Sequence, residues 1–231
     1  MRSRLALITG LAGAWLSAGT ASALTTLPFT EDFATDVAGW EDSFGAPLAF
    51  QPSGGPDGSS FASSDFNFFG FSSAFGGGPV TFRGNDSDDA SGDAFVGDWL
   101  AAGVQQVSVF VRQETGVDLT VFLRVATAFN FPGAVFDNPT LVPSGQWTQL
   151  NFDIDPNSPL CTGEAVTCAE ALANVGNLQF GTSAPLALTE VDQAFLLGLD
   201  QVTITAVPEP GTTGLLATGL AGLAALGRRR R

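Results

Sequence analysis

What most constrains this chain is the density of its punctuation. Among 231 residues, 28 Gly and 13 Pro leave few long stretches with the 3.6-residue apolar period of a helix. The runs between breaks are short and alternate apolar with polar residues, which marks strands with one buried face. The clearest are Gln105 to Val111, Asp118 to Val125, Trp147 to Ile154 and Leu199 to Ile204. Val107, Val109 and Val111 share a face, as do Leu119, Val121, Leu123 and Val125, which puts Thr120, Phe122 and Arg124 on the opposite side of their strand. Gly116 falls between these two runs, so they are expected to pair as an antiparallel hairpin. Val202 and Ile204 oppose Gln201, Thr203 and Thr205 in a half-buried closing strand, and Ala169 to Ala173 is the one plausible helical turn. About eight such strands bury one face each most economically as two packed sheets, so the expected fold is an all-β sandwich.

The two ends follow other rules. Residues 1–23 carry Arg2 and Arg4, an apolar run from Leu5 to Leu16 and then Ala21-Ser22-Ala23, the pattern of a signal helix removed by signal peptidase during export. Gly211 to Gly227 is apolar and stops at Arg228, Arg229, Arg230 and Arg231, where four charges would halt a chain in a membrane. As a helix this span would rise roughly 25 Å, just short of a hydrocarbon core of about 30 Å. Gly214, Gly219 and Gly222 give it a small-residue face suited to close helix contact. The expected division is therefore 1–23 signal, 24–206 sandwich and 207–231 tail, and the alternative for the tail is a permanent anchor.

Between the ends the charge is lopsided. From Leu24 to Val207 the cations are Arg83, Arg112 and Arg124 alone, against 22 carboxylates, or −19, with no Lys, His or Tyr. Without histidine there is no Ser-His-Asp or Cys-His nucleophile system and no imidazole-bound zinc. So acidic a body repels phosphate backbones and anionic lipid surfaces, which excludes nucleic acid as a partner. Local ion pairing is the expected use of the three arginines.

Cys161 and Cys168 are the only thiols, and in an exported chain they are expected to form one local disulfide. Closing so small a loop stabilises by roughly 2.5 kcal/mol in the chain-entropy model. A redox pair would want C-x-x-C spacing and a nearby cation. Phe66 and Phe68 fall on one face of an extended segment and Phe69 and Phe71 on the other, with Phe75 close behind. About half of this group is expected in the core, the rest in an exposed apolar loop. Asn85 to Asp93 is rich in carboxylates but fails the EF-hand pattern, since Ala90 stands where a ligand should be; it is expected to be a solvated loop. Asp153 and Asp155 lie two apart on the exposed face of one strand, their backbones roughly 6.7 Å apart. A glycosidase pair can have that separation, but a general acid needs burial to raise its pKa, so they are expected to be solvated. Trp40, Trp99 and Trp147 are either sugar-stacking platforms or core, with Trp40 and Trp99 the candidate glycan contacts. Phe95 to Trp99 looks like a short strand entry.

Two resemblances carry these readings further. Val207-Pro208-Glu209-Pro210, the Gly/Ala/Leu-rich span behind it and the terminal arginines resemble the PEP-CTERM sorting signal of exopolysaccharide-producing Gram-negative bacteria. This implies recognition by a membrane-embedded exosortase, transient anchoring in the inner membrane and delivery to the cell surface or exopolysaccharide matrix. Leu27 to Phe33, Gly39-Trp40, Gly54 to Ser59 and Leu199 to Ile204 resemble the opening and closing strands of galactose-binding-like, carbohydrate-binding-module jelly rolls. That resemblance implies a single jelly-roll sandwich with adjacent first and last strands and one structural calcium ion on Glu31 or Asp32, Asp57 and Asp200. The alternative is that these acids cap and solvate turns. The resulting expectation is a non-catalytic exported protein that binds glycan. A calcium-stabilised structural or adhesive matrix protein without a sugar pocket is the alternative, and a carboxylate-only glycosidase or lyase is a third reading.

Overall fold

The computed structural model describes residues 27–71 and 78–206. The signal segment, the sorting tail with its apolar span and Phe75 lie outside them. No helix among the described residues is long and apolar enough to cross a membrane.

The alternating runs form strands as expected, and shorter neighbours join them. In chain order these are β1 (Phe29–Glu31), β2 (Ala49–Gln51), β3 (Phe61–Asn67), β4 (Val80–Asn85), β5 (Val104–Gln113), β6 (Leu119–Ala126), β7 (Gly133–Val142), β8 (Thr148–Asp153), β9 (Cys161–Glu164), β10 (Asn177–Thr182) and β11 (Ala194–Ala206). Two sheets result. One runs β2-β3-β11-β5-β8 with β1 also on β11, the other β4-β10-β6-β7-β9, and every pairing is antiparallel. The chain crosses repeatedly between the layers, giving a jelly-roll sandwich. Short β2 and β9, with only three and four residues, escaped the sequence reading, so the described residues hold eleven strands rather than about eight.

The expected hairpin between β5 and β6 does not form. β5 pairs with β11 and β8, and β6 with β10 and β7, in opposite sheets. Both strands present their valines and leucines to the one core, and facing across it buries both sets. The corner between them is held from inside by Gln113. Its buried amide donates to the carbonyls of Val117 and Val142 at 2.7 and 2.9 Å and accepts from the Thr115 N–H and hydroxyl.

Trp40 and Trp99 are fully buried. Trp40 stacks on Phe180 with its ring edge-on to Phe33 and Phe95, and its indole N–H donates to Ser91 Oγ at 2.9 Å; that of Trp99 donates to the Phe95 carbonyl at 2.8 Å. Neither can meet a glycan, which corrects the candidate contacts. Each indole has its polar partner inside, so nothing holds it at the surface. Phe95 to Trp99 contributes a single bridge, Gly97 to Val175, rather than a strand.

The Phe-rich segment divides as alternation requires: Phe66 and Phe68 are buried, Phe69 and Phe71 exposed. Cys161 and Cys168 are bonded, tying the start of β9 to helix α1 (Cys168–Leu172). This helix is the expected helical turn, and Thr167 and Glu170 form its capping box.

Candidate functional site

Two places in the sandwich concentrate polar chemistry. The first lies where β1, β11 and the glycine-rich turn before β3 meet. Phe29, Thr30 and Glu31 pair with Ile204, Thr203 and Val202, bringing the opening and closing strands together. β11 carries a bulge here: its register on β5 shifts between Asp200 and Thr203, and Gln201 adopts a φ of 50°. The extra residue changes the phase, so Leu197 and Leu199 face the core before it and Val202 and Ile204 after it.

Asp200 sits at the bulge, wholly buried beneath the turn. Its Oδ1 accepts the Gln201 N–H at 2.8 Å and its Oδ2 the Ser59 hydroxyl at 3.3 Å. No described arginine pairs with it. Burial, reinforced by the charges of Asp57 and Asp32 and opposed by those two hydrogen bonds, pushes its carboxyl up to about 6. Only glycine fits beside it at position 55: a Cβ there would lie 2.5 Å from Ser59 Oγ and 2.9 Å from Asp200 Oδ2.

The other acids expected at this site are partly committed. Glu31 Oε1 accepts the Phe33 N–H at 2.9 Å, Asp32 Oδ1 the Ala34 N–H at 3.1 Å and Asp57 Oδ1 the Ser59 N–H at 3.1 Å. The hydrogen bonds from Ser59 hold the Asp57 carboxyl below the usual range. Among the described residues no three Asp, Glu or Cys side chains converge closely enough to hold a metal between them. A buried carboxylate with no described cation beside it, in a cradle that a Cβ would fill, would suit a calcium ion only if Asp200 and main-chain oxygens of the turn held it with at most one of the facing acids. Calcium would there neutralise Asp200 and fix the turn to the bulge.

The second place is a cleft of about 540 Å³ on the outer face of the five-stranded sheet, lined by Thr120, Phe122, Arg124, Asp137, Asn138 and Glu164 among others. Thr120, Phe122 and Arg124 occupy the side of β6 that alternation set opposite the core. β10 adds no residue to the lining, because its outward residues are themselves covered. Gly181 is overlain by the Phe122 ring, three atoms of which lie 2.0–2.6 Å from where a Cβ would stand. Buried Gln179 is bonded to Arg124 and Asn130, and Asn177 to the Thr127 carbonyl at 2.6 Å. The result is a half-buried aromatic ring in a trough rimmed by the exposed Asp137.

Two of the three arginines form the expected local ion pairs, and Arg83 forms none among the described residues. Arg124 pairs with Glu164 and Arg112 with Glu114, both at 2.6 Å, while Arg83 and Glu41 exchange backbone hydrogen bonds. The acidic segment after β4 folds as two 3-10 turns, Asp86–Asp88 and Ala90–Asp93. Burial, then Asp86 and Asp89, push the Asp93 carboxyl up. Asp153 and Asp155 are exposed, and Asp155 caps the Asn157 N–H. Trp147 is half-buried on the outer face of the other sheet, edge-on to Phe61, with its indole donating to the Gly54 carbonyl at 2.8 Å.

Residues 206–231 match the PEP-CTERM protein-sorting motif, so the chain is an exported protein with a C-terminal sorting signal. No curated protein matches the chain. Among solved structures it is similar to the CBM22-1 xylan-binding domain from Paenibacillus barcinonensis Xyn10C, at 13% identity over 80% of this chain and 98% of that one, with a TM-score of 0.45. It is also similar to the family 11 carbohydrate-binding module from Clostridium thermocellum, solved with a β-1,3-1,4-mixed-linked tetrasaccharide. That match has 12% identity over 80% of this chain and 98% of that one, with a TM-score of 0.43.

Proposed function

We propose that this protein is a non-catalytic glycan-binding sandwich, delivered to the cell envelope or exopolysaccharide matrix by its C-terminal sorting signal and holding polysaccharide in the cleft on its five-stranded sheet. The observation that carries this reading is the cleft's construction: half-buried Phe122, its ring tip seated over Gly181, gives a sugar ring an apolar surface, while Asp137 and Thr120 beside it offer hydrogen-bonding groups. Signal peptidase would remove the first segment, and exosortase would process the chain near Val207-Pro208-Glu209-Pro210. Fractionation of the native strain with intact-mass measurement tests the sorting half. A secreted form lacking the tail supports it, and a full-length membrane form supports permanent anchoring.

Affinity electrophoresis through a panel of polysaccharides tests the binding half. At least one should retard the protein, and Phe122→Ala should abolish that retardation while the protein stays folded by circular dichroism, at a somewhat lower melting temperature. Passage of the wild type through every gel unretarded, or retardation indifferent to Phe122→Ala, would remove the reading. Buried Asp200 under its turn, with Phe69 and Phe71 exposed, favours a second one: a calcium-stabilised structural or adhesive matrix protein without a sugar pocket.

A further inference from the structure

Among the described residues Arg124 is the one cation that lines the cleft, and every N–H of its guanidinium is already committed. Nε donates to Glu164 Oε1 and Oε2 at 3.1 and 2.9 Å. One terminal nitrogen donates to Asn130 Oδ1 at 2.8 Å and Gln179 Oε1 at 2.7 Å. The other donates to the Asn130 carbonyl at 2.9 Å and Glu164 Oε2 at 2.6 Å. No donor is left for a carboxylate or sulfate on a ligand, and freeing one would break a bond to Glu164, Gln179 or Asn130.

No other described cation lines the cleft. Arg112 is engaged with Glu114, and Arg83, two strands from Arg124 in the same sheet and in register with Gln179 between them, is not among the lining residues. Residues 72–77, which lead into Gly78 at the cleft, read Ser-Ser-Ala-Phe-Gly-Gly and carry no charge. The cleft's unneutralised charge is Asp137, an exposed carboxylate to which no described residue donates a hydrogen bond. A carboxylate is an acceptor only, so it suits sugar hydroxyls and repels acidic sugars.

We infer that the cleft takes an uncharged polysaccharide and rejects uronate- or sulfate-bearing ones, with Arg124 serving as a positioning residue that ties the 127–132 turn and β9 to β10. This rests on the glycan-binding reading above. It is not a consequence of sorting to a matrix, which says nothing of the charge of what is bound there.

The test uses the full chain in detergent and a panel of neutral glucans, mannans and galactans, each run beside its own C6-carboxylated derivative. A neutral member should retard the protein in a manner lost with Phe122→Ala, and its carboxylated partner should bind at least tenfold more weakly. Asp137→Asn, an exposed substitution that leaves the fold intact, should narrow that ratio several-fold. A carboxylated derivative that binds as well as its parent overturns the inference while leaving the glycan reading standing. A ratio unmoved by Asp137→Asn also overturns it, because discrimination would then come from the overall charge of the body. Failure of both members of every pair removes the glycan reading and this inference together.

Discussion

Asp200→Asn separates the electrostatic cost of the buried carboxylate from its packing. In the folded protein the Asp200 carboxyl titrates at about 6, against an ordinary value of 3.8. The folded value is raised, so the neutral form is favoured in the fold. The associated stability is full below about pH 4 and is lost as pH rises through 6. Over that window the wild type should lose about 3 kcal/mol that the variant does not, at about 1.4 kcal/mol per pKa unit. Asparagine keeps the bond from Gln201, and its amide can donate to the Ser59 hydroxyl that Asp200 now accepts from. In chelator at pH 7 the variant should therefore melt above the wild type, by roughly 6–12 °C for a domain of this size. Added calcium should reverse the order, because an ion bound to the folded state alone stabilises by mass action and the variant has lost the buried ligand. Calorimetry of both proteins from pH 4 to 8, with chelator and with calcium, reads all three effects, and the difference between the proteins cancels the other carboxylates. An Asp200→Asn protein that melts below wild type in chelator at pH 7, with an unchanged pH profile, would refute the burial argument. Calcium that raises both proteins equally would refute the proposed ligand.

Replacing Cys161 and Cys168 together by serine should lower unfolding free energy by about 2–3 kcal/mol, the value of a short closed loop, as read by urea denaturation, and leave polysaccharide retardation unchanged. Trp99→Ala should cost about 3–5 kcal/mol, as expected for removing a buried aromatic, with the fraction that remains folded retarded as wild type is. Loss of retardation at unchanged stability would restore Trp99 to the glycan surface.

Periodicity made the strands legible because it records burial, and burial is local to a strand. The phase of Val107, Val109 and Val111 and that of Leu119 to Val125 are both as read. Which strand pairs with which is not local: β5 and β6 have the alternation and the intervening glycine of a hairpin, and only the competition of β11 and β10 for their edges places them in opposite sheets. Tryptophan is ambiguous for a related reason, since its indole suits a sugar or a core equally, and the partners that decide it, Ser91 for Trp40 and the Phe95 carbonyl for Trp99, are not signalled by spacing. The cleft was half legible. Alternation put Thr120, Phe122 and Arg124 on the outer face, but Asp137 and Glu164 come from strands whose register with β6 the sequence does not contain. Asp200 was reachable through the closing-strand resemblance. Its burial was not, because the bulge that shifts the phase of β11 leaves no mark in the alternation except a polar pair, Asp200-Gln201, inside an apolar run.

The placement of the chain ends bears on how sorting and binding coexist. β11 ends at Ala206 beside Val104, and β1 begins opposite Ile204, so both described ends of the sandwich leave the same end of the six-stranded sheet. The cleft belongs to the other sheet and faces away from that layer. Sheets in a sandwich stand about 10 Å apart, and here the core of both fills the gap, so Ala206, the last described residue before the sorting segment, lies in a different layer from the one that carries the cleft. On the proposed reading, a body still held by its tail would therefore present the same cleft as one released from it, and processing would change where the protein resides without changing that face.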